Sequence, residues 1–191
     1  LVFFFSCEKD NPGANIAHSN SQSNNQPVSV YCNNNAFDVE VDEYDIDSAV
    51  IWENCEPYVY DEILESGKGG YCSYLVVLAG PGVDLSYYYT SGEGEIMVFD
   101  FSGIDIDSEL SGTYPIEDYE DGDHSVRIFL DATWGDDGHI DYKEASYMES
   151  ESGQVAINVT NKNLDISFEF LTTTGSEITG CYSGTIDEFL S

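Results

Sequence analysis

The run YCSYLVVLA, Tyr71 to Ala79, carries no charge and is built from aromatic, β-branched and small residues. Gly70 stands before it and Gly80-Pro81-Gly82 after it. A short apolar run of this composition, closed on both sides by turn residues, predicts a β-strand buried in a core.

Working outward from it, the neighbouring segments have the same character. Toward the N-terminus, Val28-Val30 and then Phe37-Val39-Val41, with Asp38, Glu40 and Asp42 interleaved, predict two half-buried strands. Ala49-Val50-Ile51-Trp52 predicts a more apolar, central one. Glu56 to Glu65 fits a strand through the alternation of Tyr58 and Tyr60 and a helical turn through DEILE, and Ser66 to Gly70 ends it as a loop. Toward the C-terminus, Ser91 to Gly94 is expected to turn. Glu95 to Phe101, EIMVFDF, predicts a buried strand, and Leu110 to Tyr114 a turn into a short one. Ser125–Asp131, 140–147, Gly153–Thr160, Leu164–Leu171 and Ile178–Ile186 complete the set, separated by Asp/Gly or Asn/Lys turns. About ten to twelve short strands without a helical pattern define an all-β fold, expected as a single antiparallel β-sandwich over residues 28–191, with a closed β-barrel as the alternative.

The chain has 191 residues, of which 37 are Asp or Glu and 5 are Lys or Arg, a formal charge of −32. Five cations cannot neutralise a phosphate backbone or an anionic bilayer, so nucleic acid and direct membrane contact are excluded as partners. Hydrophobic residues make up 41% and aromatics 14%, enough for a core and unlike a disordered acidic chain. The acid is therefore expected to coat a folded body.

The first ten residues, LVFFFSCEKD, place an apolar run before Ser6-Cys7 and charge directly after it. This resembles the lipoprotein signal of Bacteroidota, and the resemblance implies that residues 1–7 are a signal remnant ending in a lipidated Cys7. The Glu8-Lys9-Asp10 charges are similar to those that direct such lipoproteins to the outer face of the outer membrane. Residues 8–27 are then a disordered linker. Its portion from Asn11 to Pro27 is rich in Asn, Ser and Gln and holds no charged residue. A coil of that length spans on the order of 20–25 Å.

A second resemblance covers roughly residues 71–187. Gly92-Glu93-Gly94-Glu95, Leu110 to Tyr114, Ser152 to Val155 and Ile178 to Gly184 are similar to the motifs of uncharacterised Bacteroidota surface lipoproteins with all-β domains. It implies architecture and habitat and carries over no catalytic residue.

With Cys7 lipidated, Cys32, Cys55, Cys72 and Cys181 remain as an even set in an oxidising compartment, so two disulfides are expected. Three pairings satisfy the count. Cys32 with Cys55, closing a local loop, and Cys72 with Cys181, tying distant segments, is the favoured one. No CxxC is present and no His lies at ligand spacing from a cysteine, which argues against zinc.

Two constellations could carry chemistry. Residues 133–144 fit a twelve-residue calcium loop at Asp137, Gly138, Ile140, Asp141 and Glu144, while Thr133 and Gly135 replace its first two carboxylates. Asp131 or Asp136 would supply the missing oxygens, so calcium is the small partner expected and no other cofactor is required. The bland reading is a hairpin turned by Asp136-Asp137-Gly138. Asp105, Asp107 and Glu109 alternate like the carboxylates of a β-jelly-roll glycoside hydrolase, with solvated strand acids as the simpler reading. His124 and His139 are isolated and read as surface loop residues. Three consecutive tyrosines, Tyr87, Tyr88 and Tyr89, read as rim and core aromatics before a sugar platform. The chain is thus expected to be a lipid-anchored binding or structural module whose partner is a surface protein or glycan, a reading that leans away from an enzyme without deciding against one. The alternative is a carbohydrate-active β-jelly roll.

Overall fold

The structure, a computed structural model, describes residues 32–57, 70–85, 90–105, 109–118, 124–133, 146–186 and 189–190. They form twelve strands and, among the described residues, no helix. In chain order these are β1 (Ala36–Val39), β2 (Asp42–Asp45), β3 (Ser48–Pro57), β4 (Gly70–Ala79), β5 (Val83–Leu85), β6 (Thr90–Asp105), β7 (Gly112–Ile116), β8 (His124–Thr133), β9 (Ser146–Thr160), β10 (Asn163–Thr172), β11 (Glu177–Thr185) and β12 (Phe189–Leu190). Hydrogen bonding follows the order β12-β3-β4-β6-β8-β9-β10-β11-β1-β2, with β5 paired to β6 and β7 to β9. All pairs are antiparallel except β12 with β3. The ends of the path do not pair with each other, so the sheet is not a closed barrel.

The sheet folds over itself at β9. Residues Ser146 to Glu149 pair with β8, whereas Gly153 to Ile157 pair with β7 on the same side. Between them the register against β10 slips, Leu171 facing Ser152 and Thr172 facing Ser150. At this corner the fully buried Ser150 hydroxyl accepts from Val126 N at 2.9 Å and donates to Glu117 O at 2.8 Å. A side chain thereby bonds the backbone groups of β8 and of the segment after β7 as the β9 backbone changes partner. Gly153 completes the corner, because a Cβ there would lie 2.4 Å from Glu169 O and Phe170 Cα.

One continuous core fills the space between the folded halves. From β3, β4, β6 and β8 come Ile51, Val76, Leu78, Met97, Phe99, Phe101, Val126 and Ile128; opposite them stand Phe37, Val155, Ile157, Leu164, Ile166, Phe168, Phe170 and Ile178. Phe99 of β6 meets Phe168 of β10 with ring centroids 5.1 Å apart, although these strands share no hydrogen bonds. This is the face-to-face packing of a sandwich. Gly180 of β11 sits in register between Phe37 and Phe168 and leaves room for both, since a Cβ would come within 2.6 Å of each side chain. Strands β3 and β4 are apolar on their other face too. Val50, Val77 and Ala79 join Val83, Leu85 and Ile96 in a second cluster, with Trp52 and Val98 packed at its margin.

Several local expectations change. The alternation through Phe37-Val39-Val41 stops at Glu40, whose φ of 59° turns the chain, and Val41 is 92% exposed at a hairpin tip. Ser91 to Gly94 lies inside β6. The disulfides are Cys55–Cys72 and Cys32–Cys181, and neither matches the favoured pairing. Register decides it: Cys55 and Cys72 stand directly opposite each other on β3 and β4, while Cys181 faces Ala36, close in sequence to Cys32. The bridges span 17 and 149 residues, and loop-closure entropy assigns them about 3 and about 5 kcal/mol. The edges are guarded: β2, DEYD, presents three exposed carboxylates, and Pro115 interrupts the outer side of β7.

Ser150→Ala leaves Val126 N and Glu117 O buried without their shared partner. It is expected to destabilise by about 1–3 kcal/mol, read as a lower urea midpoint with the disulfides intact.

Candidate functional site

Three adjacent strands of one sheet, β3, β4 and β6, place Trp52, Leu75 and Asp100 in a single cross-strand row on the face directed away from the core. Two interstrand spacings separate the indole from the carboxylate, about 10 Å of backbone. A second row begins with Asn54 and Ser73, which are also paired. Opposite Ser73 the register slips, so that it faces two β6 residues, Ser102 and Gly103, the latter at φ 73°. Such a bulge re-aims side chains, and Ser102 here donates its hydroxyl to Asp100 Oδ1 at 3.2 Å.

Trp52, Leu75, Asp100, Asn54, Ser73 and Ser102, with Glu53, line a groove of about 270 Å³. Its apolar part is Trp52 and Leu75, both half-buried, and Trp52 is steadied by the outer valine cluster. Its polar part mixes carboxylate, hydroxyl and amide. Glu53 is engaged by the Tyr74 hydroxyl, which donates to its Oε1 at 3.0 Å. The Tyr74 phenol is raised above its ordinary value, first by burial, then by that hydrogen bond and the charge of Glu53. The Cys55–Cys72 bridge clamps β3 to β4 beside this pair.

Of the residues singled out in the sequence, Asp131 is described: it is exposed, takes φ 53°, and lies at a bulge where β8 passes Glu95. Asp131, Asp42 and Glu95 all bear on Tyr44, whose phenol is raised mainly by burial and then by those charges. Asp136, Asp137, Asp141 and Glu144 lie outside the described residues, as do Cys7, Tyr87 to Tyr89, His139 and Asp107. Asp105 is exposed at the end of β6, and Glu109 is exposed outside any strand. His124 is a correction. It is 5% exposed and packs against Phe101 and Tyr114, with centroids at 5.8 and 5.0 Å, because it opens β8 pointing into the core. Among the described residues, the one group bringing three potential metal-ligating atoms together is Glu53, Cys55 and Cys72, whose sulfurs form a disulfide and offer no thiolate.

Sequence reasoning took Ala49–Trp52 and EIMVFDF as buried strands and passed over the groove. The signal was present in Asp100, a lone carboxylate within an apolar strand. Compared with protein-family models, with curated proteins and with solved structures, the chain matches none.

The buried phenols set an alkaline limit on the scaffold. Tyr114, which donates to Leu110 O at 2.7 Å, is pushed up to about 12 by burial, and Tyr74 is raised as well. An unfolded phenol ionises near 10, so above that pH the unfolded chain binds fewer protons and stability falls. The contribution is whole below about pH 10 and is lost as pH rises toward 12. Chemical denaturation from pH 8 to 11.5 is expected to show this decline, shallower in Tyr114→Phe.

Proposed function

We propose that the chain is an extracytoplasmic binding module that takes its partner, a surface glycan or protein, in the groove around Trp52, and that lipid on Cys7 holds it at the outer membrane. The observation that carries this reading is a half-buried indole on an outward sheet face, set beside a carboxylate and hydroxyls in a groove of about 270 Å³. Aromatic side chains with polar neighbours supply contact area and orientation together. Two disulfides suit an oxidising compartment, and the Ser6-Cys7 motif with its polar linker suits a tether.

The chain has two tryptophans, Trp52 and Trp134, so Trp134→Phe leaves Trp52 as the sole indole reporter. Titration with soluble polysaccharides and with peptides is expected to shift its emission reversibly and saturably, with no change in glycan chain length. Glycan shortening that disappears in Asp105→Asn or Glu109→Gln would support the hydrolase instead.

Calcium is the proposed small partner, supported by the partial loop at residues 133–144 and by the charges of Asp131 and Glu95, which both act on Tyr44 near the end of β8. Millimolar Ca²⁺ is expected to raise the melting temperature over EDTA more than Mg²⁺ at equal ionic strength. Saturation at ~100 times Kd corresponds to about 2.7 kcal/mol, and the rise should vanish when Asp137, Asp141 and Glu144 are neutralised. Equal shifts with both ions would mean screening of the acidic coat alone.

A further inference from the structure

We infer that the Trp52 groove is built for an uncharged glycan, with one pyranose ring stacked on the indole and its hydroxyls bonded to the Asp100–Ser102 pair and to Asn54. This rests on the binding-module reading and names the ligand class.

The argument starts from how the two rows divide. Trp52 and Leu75 offer a flat apolar strip, and the neighbouring row, Asn54, Ser73 and Ser102, offers hydrogen bonds along one side of it. A pyranose ring divides in the same way, with C–H groups on a face and hydroxyls around the rim. Each sugar hydroxyl both donates and accepts, so a site for it needs donors and acceptors side by side. Asn54 and Ser73 supply both, Ser102 accepts because its one O–H is given to Asp100, and the Asp100 carboxylate accepts only. Ser102 Oγ lies 3.2 Å from Asp100 Oδ1, so the carboxylate keeps further acceptor positions for a ligand hydroxyl.

The competing ligand classes fit less of this lining. An organic cation would be drawn to an indole and a carboxylate, but it has no use for the amide and hydroxyl donors of Asn54 and Ser73. A wholly apolar ligand would strip water from Asp100 with nothing in return. An anionic glycan meets a chain of formal charge −32, and none of the seven residues lining the groove is cationic. Repulsion from that field weakens uronates and sulfated sugars before any contact is made. A neutral saccharide is the class that uses the aromatic face, the donors and the acceptor together.

Affinity electrophoresis and calorimetry on the full chain test this with xyloglucan, galactomannan and mixed-linkage β-glucan as neutral probes, alginate as the polyuronate, and tetramethylammonium and polylysine as cations. At least one neutral glycan is expected to bind and alginate not to. Trp52→Ala should weaken that binding at least tenfold while the chain stays folded at the assay temperature. Trp52→Phe should retain part of it, and Asp100→Asn should lose severalfold. Binding of alginate as strong as that of the neutral glycans overturns the ligand class. Binding of the cations alone, still dependent on Trp52, also overturns it while the binding-module reading survives. Neutral-glycan binding that Trp52→Ala leaves untouched overturns the assignment to this groove. If no probe binds and none moves Trp52 emission, the glycan assignment falls, and the peptide titration decides the binding-module reading.

Discussion

A serine hydroxyl at the bend of β9 is what allows one hydrogen-bonded sheet to serve as both layers of a sandwich. Where β9 leaves β8 for β7, the backbone ladder cannot continue, and buried amides and carbonyls without partners cost more than most single contacts contribute. Ser150 bonds Val126 N and Glu117 O together, and Gly153 lets the next turn of backbone close against Phe170. The inward faces of β6 and β10 can then meet, and the core of Phe99, Phe168 and their neighbours forms around that contact. The halves are held by packing, while their direction relative to each other is set at the bend.

The groove follows from this arrangement. Once β3, β4 and β6 present one face to the core, the parity of the strands sends Trp52, Leu75 and Asp100 outward together. Part of that outer face is filled by the valine cluster, which leaves the Trp52 end beside polar groups. The bulge at Ser102 and Gly103 places a hydroxyl against Asp100, and the bridge between Cys55 and Cys72 keeps β3 and β4 in register at that end. A groove on paired strands with a covalent clamp is more fixed in geometry than one made of loops.

How much of this was legible depended on whether the determinant was local. Tyr71 to Ala79 reads as a buried strand because composition and flanking glycines act over a few residues, and β4 has those bounds within one residue. Alternation misled at Val41, since period-2 patterning does not register a two-residue hairpin whose first residue is a left-handed Glu40. Glycines misled at Ser91 to Gly94, which look like a turn and lie within β6. The cysteine pairs were beyond local reasoning, because Cys32 reaches Cys181 only once β1 has found β11. His124 reads as a loop residue in a polar neighbourhood, yet it opens a strand whose first position faces Phe101 and Tyr114. The groove is legible only when three separate strands are laid side by side, which no single window of sequence does.

The bridge from Cys32 to Cys181 also has a mechanical meaning. Chain ahead of Cys32 enters the domain next to β1, which together with β2 makes up the last two strands at one end of the sheet. Without a crosslink, tension on that chain would unzip β1 from β11 one hydrogen bond after another. With it, the pull passes through a covalent bond into the middle of β11, a strand paired on one side with β10 and on the other with β1. The load is then shared by two ladders, so the domain is armoured where the N-terminal chain enters it.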